Sequence, residues 1–252
     1  MLTQGKSRVA RIGVLIASAA LVLAACGGGG NSGTQTGQAF KDCDANPNSC
    51  NSATPDQLQD GGQVTFAIEK NISNWNVTSA KGNVFEPAEA ITRLTPYAYY
   101  ATPDLQSALN TDYVSSVDVT STNPMTIVYK LNPKAVWSDG VPFTADDFIY
   151  NWKTQNGHDC PGCSIVSAGG YEDIASITGS DNGKTVTVTM KKPFTDWKSM
   201  WSSNNPIYPA HIAAQQGDTN TPEGLKKAFD WFGTTMPTWT GRSSQAQACA
   251  GP

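Results

Sequence analysis

Residues 174–190 constrain the fold of this chain most strongly, because they predict a β-hairpin. Between positions 185 and 190, threonines alternate with apolar residues, which is typical of a strand with one buried face. The turn before that strand contains Asn182 and Gly183, two residue types that tolerate the positive φ angles of a tight hairpin turn. Antiparallel pairing of neighbouring strands is therefore expected in this chain.

A second hairpin and several short helices are predicted elsewhere. Strands at 115–121 and 125–131 flank a turn-forming Thr-Asn-Pro sequence. Thr144 is followed three residues later by Asp147, which indicates a capped helix start, and apolar residues then recur at helical spacing. Short helices mixed with local hairpins indicate an α/β fold of the mixed α+β kind. The other expected elements are a strand at 64–68 and helices at 87–94, 197–201, 209–216 and 222–232.

The charge of the chain argues against a nucleic-acid partner. The 252 residues carry a formal charge of −4, and the first 25 hold three basic residues and no acid, so the remainder carries −7. Such an acidic chain has no electrostatic attraction for phosphate backbones. The sequence also lacks a nucleophile-elbow, metalloprotease or phosphate-loop motif, so no catalytic residue, cofactor or metal is predicted.

Residues 1–25 have the layout of a secretory signal peptide. Basic residues precede an apolar run at 12–23, which is shorter than the roughly 20 residues of a membrane-spanning helix. The run ends in Leu-Ala-Ala before Cys26, and this sequence resembles the lipobox of bacterial lipoproteins. The resemblance implies an acylated Cys26 at the new N-terminus and a lipid-anchored domain at the outer face of the cytoplasmic membrane. A secreted protein with an incidental Cys26 is the alternative.

Four further cysteines form two close pairs, and export would place them where disulfides persist. Cys43 and Cys50 bracket a turn-rich spacer within residues 26–60, which are polar and predict a flexible tether. Cys160 and Cys163 flank a Pro-Gly sequence. Their spacing also occurs in thioredoxin-like redox sites, but the surrounding residues predict a loop, which favours a structural disulfide. A single nearby histidine argues against a zinc site.

The sequence AVWSDGVPFTADDF at 135–148 closely resembles the signature of the family 5 extracellular solute-binding proteins, the oligopeptide- and dipeptide-binding subunits of ABC importers. The resemblance covers roughly residues 61–240. The signature acids at 139, 146 and 147 are predicted to be turn and cap residues. VYKL at 128–131 belongs to the same signature, and further matches in the expected order are GYEDI at 170–174, DNGKTV at 181–186, KPF at 192–194 and YPAHI at 208–212. The Cys43/Cys50 leader and GNVFE at 82–86 resemble the actinobacterial lipoprotein branch of the family.

The resemblance implies a periplasmic-binding-protein-like II fold, in which two lobes close on a solute in the cleft between them. In that family the first lobe consists of an N-terminal strand, an inserted subdomain and a return to the first sheet. Residues 61–79 and 201–240 map onto the first lobe, and residues 80–200 map onto a hairpin-rich inserted subdomain. Only this N-terminal lobe is expected in the chain.

The loop after the first expected strand is the best candidate for a wall of the cleft. Trp75 could stack on a side chain of a bound peptide, and the amides of Asn74 and Asn76 could hydrogen-bond its backbone. Tyr97 and Tyr99 are further candidate ligand contacts. Packing of Trp75 into the core is the alternative.

The sequence departs from the family in its length and in its last residues. Family members run to over twice this length, and no second lobe is found. Residues 241–252 lose the strand pattern and add the unpaired Cys249, so an aberrant or disordered tail and a truncation shortly after Gly241 are expected. A genuine short protein is the alternative. A single lobe would bind peptide weakly or not at all.

The favoured function is a non-catalytic lipoprotein that binds oligopeptides or related small solutes and delivers them to an ABC permease. An exported thiol-disulfide oxidoreductase using Cys160 and Cys163 is an alternative from another class. A ligand-free structural surface lipoprotein is a third. Nothing in these residues discriminates among peptides, nickel, sugars and opines, all of which family members bind.

Overall fold

The computed structural model describes residues 63 and 65–242. Several predictions concern residues outside this part of the chain. These are the signal peptide at 1–25, the tether at 26–60 with Cys26, Cys43 and Cys50, and the tail from 243 onward with Cys249.

The described residues form a mixed α/β structure of short elements, as the alternating patterns predict. The helices are α1 Phe85–Ile91, α2 Ala145–Gln155, α3 Ala210–Gln216 and α4 Pro222–Thr234, with single 3₁₀ turns at Tyr171–Asp173 and Trp197–Ser199. The strands are β1 Tyr99–Ala101, β2 Ser107–Leu109, β3 Val114–Thr122, β4 Met125–Leu131, β5 Val136–Trp137, β6 Ile174–Ser180, β7 Thr185–Met190 and β8 Gly241–Arg242.

Both predicted hairpins are present and join into one antiparallel sheet of order β3-β4-β7-β6. Asn182 and Gly183 both have positive φ angles, as the tight-turn prediction requires. Gly183 is also needed sterically, since a Cβ atom there would lie 2.9 Å from the Cβ of Thr144. The hairpin turn therefore sits directly against the start of α2.

One face of the sheet is buried against the helices. Alternate residues of β4 and β7, including Ile127, Tyr129 and Val188, are fully buried. Phe148 of α2 packs on the ring of Tyr129, with centroids 5.5 Å apart. Each such buried side chain contributes about 1.5–3 kcal/mol relative to an exposed one. Helices α3 and α4 pack beside α2 and continue this core.

The start of α2 forms the predicted capping box. The Thr144 side chain accepts from the backbone of Asp147, and the Asp147 carboxylate accepts from the Thr144 N–H at 2.9 Å. Two otherwise unpaired backbone donors are satisfied in this way.

The predicted strand at 64–68 is wrong for the described residues 65–68, which form no strand. Phe66 is 83 % exposed and Ile68 is also exposed. Alternation buries one face only if a neighbouring strand or helix covers it, and no described strand pairs with this segment.

Two helix boundaries differ from the prediction for local reasons. The first helix begins at Phe85 and ends at Ile91, so Pro87 is not its first residue. The segment 197–201 holds only a 3₁₀ turn, because Trp201 has a positive φ of 50° and cannot continue a helix. The strand pairs β1–β2 and β5–β8 were not predicted.

Candidate functional site

Residues 71–79, the anchored loop, hold the first three candidate ligand contacts. The Trp75 N–H donates to the carbonyl oxygen of Gly233 at 2.9 Å. The Trp75 carbonyl accepts from the hydroxyl of Tyr208 at 3.0 Å, and that hydroxyl accepts from the Val77 N–H at 2.9 Å. The backbone around Trp75 is therefore fixed to α4 and to the segment before α3. Its side chain is half-buried and pairs with no other ring among the described residues.

The amides of the anchored loop are engaged inside the protein. Asn76 is only 2 % exposed; its Nδ2 donates to the Phe229 carbonyl at 3.2 Å, and its Oδ1 accepts from the Thr78 N–H and hydroxyl. Asn74 Oδ1 accepts from the Asn76 N–H at 2.9 Å. These bonds shape the loop itself, so the structure places Asn76 as a structural residue and leaves Trp75 as the more accessible side chain.

Cys160 and Cys163 form a disulfide, and both are buried. No helix begins at Cys160, since α2 ends at Gln155 and a loop follows. Low-pKa redox cysteines sit at helix N-termini or beside cations and are accessible. The loop after the disulfide instead holds the anchored loop, because the Val166 N–H donates to the Thr78 carbonyl at 3.1 Å.

The other two candidates lie apart from the anchored loop. Tyr99 is 6 % exposed and packs edge-on against Trp197, with centroids 5.7 Å apart. Burial raises the pKa of Tyr99 to about 12, with Asp118 adding to the effect. This residue is part of the core.

Tyr97 lines a polar cavity of about 290 Å³, which we call the Arg93 pocket. Burial raises the pKa of Tyr97, and Asp112 adds to this while Arg93 opposes it. Burial, followed by Asp112, also raises the pKa of Tyr113 to about 12. The pocket is lined by Thr92, Arg93, Thr95, Tyr97, Tyr100, Asn110, Asp112 and Tyr113.

Two of the three signature acids act as predicted, Asp139 in a turn and Asp147 in a helix cap, whereas Asp146 is exposed in the first turn of α2. Asp139 also makes a contact that the sequence did not suggest. Asp139 accepts from the Val141 N–H at 3.1 Å and lies 2.8 Å from Nε2 of His211. Although burial raises it, the bonds from His211 and Val141 bring the pKa of Asp139 below its usual value. No sequence pattern connects positions 139 and 211, which are 72 residues apart.

Asp147 joins three segments of the core. Its carboxylate accepts from the Thr144 N–H, from the Ala210 N–H at 2.8 Å and from the Trp137 indole at 3.3 Å. Burial raises the pKa of Asp147 to about 6, even though these bonds favour the ionised form. The buried carboxylate of Asp147 therefore connects α2, α3 and β5 by hydrogen bonds.

Within the described residues, no group of three or more His, Cys, Asp or Glu side chains could hold a metal ion. None of the described helices is long and apolar enough to cross a membrane.

The described residues thus form a helix-covered antiparallel sheet in which Asp139 and Asp147 of the signature are bonded into a turn and a helix cap. The family described as "Bacterial extracellular solute-binding proteins, family 5 Middle" matches residues 105–240. The chain belongs to this family, whose members are non-catalytic binding proteins.

The relatives of this chain include binding proteins whose names state different ligands. "Oligopeptide-binding protein OppA" of Mycobacterium tuberculosis is 33 % identical over 177 residues, which cover 70 % of this chain and 29 % of OppA. "Probable monoacyl phosphatidylinositol tetramannoside-binding protein LpqW" of the same species is 38 % identical over 100 residues, 38 % of this chain and 14 % of LpqW. The chain thus spans less than a third of the length of these relatives.

Solved structures agree with the fold over part of their chains. The "Periplasmic EDTA-binding protein EppA" matches with a TM-score of 0.70 and 40 % identity, over 77 % of this chain and 34 % of EppA. The oligopeptide-binding protein AppA from Bacillus subtilis, solved with a nonapeptide, matches with a TM-score of 0.52 and 15 % identity over 65 % of this chain and 30 % of AppA. The second likeness concerns the fold alone.

Proposed function

We propose that this chain is an extracytoplasmic, lipid-anchored solute-binding protein that binds peptides for an ABC importer. Its relationship to OppA, at 33 % identity over 177 residues, is the observation that carries the peptide assignment. The identity of the solute is the finer part of this proposal, since relatives are named for peptide, glycolipid and chelator ligands.

The proposal assigns residues 61–79 and 201–240 to a first lobe of the periplasmic-binding-protein-like II type, with 80–200 inserted. Two contacts support this division. The anchored loop bonds to Tyr208 and to Gly233, which both lie in the second of these segments. The four-stranded sheet, in contrast, is built only from strands of the inserted segment.

Trp75 is the proposed ligand contact of this lobe. Its backbone is held on both sides, whereas its ring makes no aromatic pair among the described residues. A rigid, partly exposed indole can cover an apolar side chain with little loss of conformational entropy. Asn74 and Tyr97 stay predictions as peptide contacts.

The family relationship supports the proposed membrane anchor and permease partner. A relative in Mycobacterium tuberculosis, 28 % identical over 157 residues, is named an "Uncharacterized lipoprotein". This name supports acylation of Cys26, and labelling with a fatty-acid probe would test it: loss of the label in Cys26→Ser is expected, and a label that persists would contradict the anchor.

Calorimetric titration tests peptide binding. The 252-residue chain, purified in detergent, is titrated with a defined nonapeptide. We expect the nonapeptide to bind, as the relationship to OppA suggests. Trp75→Leu should weaken this binding about 3- to 10-fold, the equivalent of one aromatic contact.

Trp197→Leu is the matched control, since Trp197 is also half-buried but lies against Tyr99. The Trp197→Leu variant should change the affinity for the nonapeptide less than about twofold, because it removes no aromatic contact with the peptide. Equal effects of both variants would remove Trp75 from the site. No binding at any concentration would favour a structural lipoprotein without a ligand.

A further inference from the structure

The Arg93 pocket contains charged groups without partners in the described part of the chain. Neither Arg93 nor Asp112 forms a side-chain hydrogen bond or an ion pair with another described residue. Arg93 is exposed and Asp112 is half-buried. The two charges are also not paired with each other, although both act on the hydroxyl of Tyr97. A positive and a negative group therefore face one small cavity, each able to receive a ligand.

The tyrosines of the pocket are held by packing and not by their hydroxyls. The rings of Tyr97 and Tyr100 meet edge-on with centroids 6.3 Å apart, and Tyr113 packs edge-on against Phe143. None of these three hydroxyls makes a hydrogen bond to a described residue. The pocket thus offers three hydroxyl groups that can donate or accept.

The backbone around the pocket is fixed before any ligand enters. The Leu94 carbonyl accepts from the Gly241 N–H at 2.7 Å, and the Ala98 carbonyl accepts from the Asn110 N–H at 2.8 Å. Gly241 packs closely on this wall, since a Cβ atom there would lie 2.6 Å from the hydroxyl oxygen of Tyr113 and 2.9 Å from Cγ of Pro96. A preorganised site loses less entropy when it binds a ligand.

We propose that the Arg93 pocket binds a compact zwitterion, either a free α-amino acid or a short peptide, with the carboxylate on Arg93 and the ammonium on Asp112. A planar guanidinium matches a carboxylate, and a carboxylate accepts from an ammonium. A simple anion would face Asp112, and a simple cation would face Arg93, so each would meet a like charge. A volume of about 290 Å³ lies at the small end of ligand sites. This inference does not depend on the role of Trp75.

Titration calorimetry on the full 252-residue chain tests the proposal. The probes are L-alanine and L-alanyl-L-alanine, with propionate and ethylamine as matched ligands that carry only one charge. We expect at least one zwitterion to bind, and to bind about tenfold more tightly than either single-charge ligand, since each charged hydrogen bond is strong. The probe that binds distinguishes an amino acid from a peptide end.

Variants assign the charges. Arg93→Gln and Asp112→Asn should each weaken zwitterion binding about tenfold or more. Lys134→Gln and Asp118→Asn remove the same charges at exposed positions outside the pocket and should leave binding unchanged. Failure of both zwitterions to bind, or equal binding of propionate, would overturn the proposal, as would unchanged binding in Arg93→Gln.

The outcome is separable from that of the peptide proposal. Trp75→Leu should leave alanine binding intact, and Arg93→Gln should leave nonapeptide binding intact. Retained alanine binding without nonapeptide binding would refute only the peptide function. Nonapeptide binding without binding of either zwitterion would refute only the zwitterion site.

Discussion

The anchored loop and the Arg93 pocket both contain several polar side chains, yet they differ in what those side chains contact. In the anchored loop, Asn76 has its oxygen and nitrogen bonded within the protein. In the pocket, the side chains of Arg93 and Asp112 have no bonded partner among the described residues. Residue type alone therefore does not identify a ligand contact. A polar side chain can bind a ligand only if its hydrogen-bonding groups are not already used inside the protein.

Asp147 and Lys184 resemble the anchored loop, because their charged groups are also hydrogen-bonded inside the protein. The Lys184 ammonium donates to the carbonyls of Asn132, Ala135 and Phe143 at 3.3, 3.0 and 2.8 Å. Changes at such saturated groups should reduce stability, whereas changes in the pocket should affect binding only. Four substitutions of decreasing expected effect can break this contrast.

The largest loss is expected for Asp147→Asn. An amide would point an N–H group at the Thr144, Ala210 or Trp137 donors, leaving buried donors unpaired at a cost of about 3 kcal/mol. Urea unfolding at pH 7 measures this. An unchanged midpoint would show that these bonds do not hold α2 to α3.

The stability of the wild type and of Asp147→Asn can also be compared as a function of pH. Burial raises the pKa of Asp147 from its usual 3.8 to about 6, so between these values the folded state holds the proton more tightly than the unfolded state. The contribution of Asp147 to stability is therefore complete below pH 4 and declines as the pH rises to 6. The stability difference between wild type and Asp147→Asn should be larger at pH 4.5 than at pH 7; a difference independent of pH would contradict the raised pKa.

Asn76→Ala should cost about 2 kcal/mol, because it leaves the Phe229 carbonyl and the Thr78 N–H without their buried partner. Thermal unfolding of the variant would detect the loss. Asn204→Ala, at an exposed position, is the control and should behave as wild type.

Lys184→Met should lower stability by about 1.5 kcal/mol. The methionine keeps the apolar stem in place but removes the donor to three carbonyls, of which Phe143 lies closest. Burial already lowers the pKa of Lys184, which limits how much the charge itself adds. A neutral result in urea unfolding would mean that water replaces the ammonium at no cost.

The smallest effect is expected for Arg93→Gln, which should change unfolding free energy by less than about 0.5 kcal/mol, as for surface substitutions generally. If Arg93→Gln lowered the free energy of unfolding as much as Asn76→Ala does, Arg93 would contribute to stability, and the distinction between the two regions would be wrong.

The sequence predicted the elements that depend on near neighbours. The two hairpins and the capping box at Thr144 involve residues a few positions apart, so local pattern contains their full cause. The strand at 64–68 failed because alternation does not specify a partner. The hydrogen bond between Asp139 and His211 and the placement of Arg93 and Asp112 around one pocket join separate segments, and no spacing rule could indicate them.

The hydrogen bonds of the anchored loop imply an order in which the chain can take shape. Asn76 reaches a partner 153 residues downstream, and Trp75 reaches one 133 residues downstream. The hairpins at β3–β4 and β6–β7, by contrast, can close as soon as their own residues have emerged. During synthesis from the N-terminus, the backbone of Trp75 therefore lacks its partners until residues 208 and 233 have been made, so the anchored loop cannot take its final position before then.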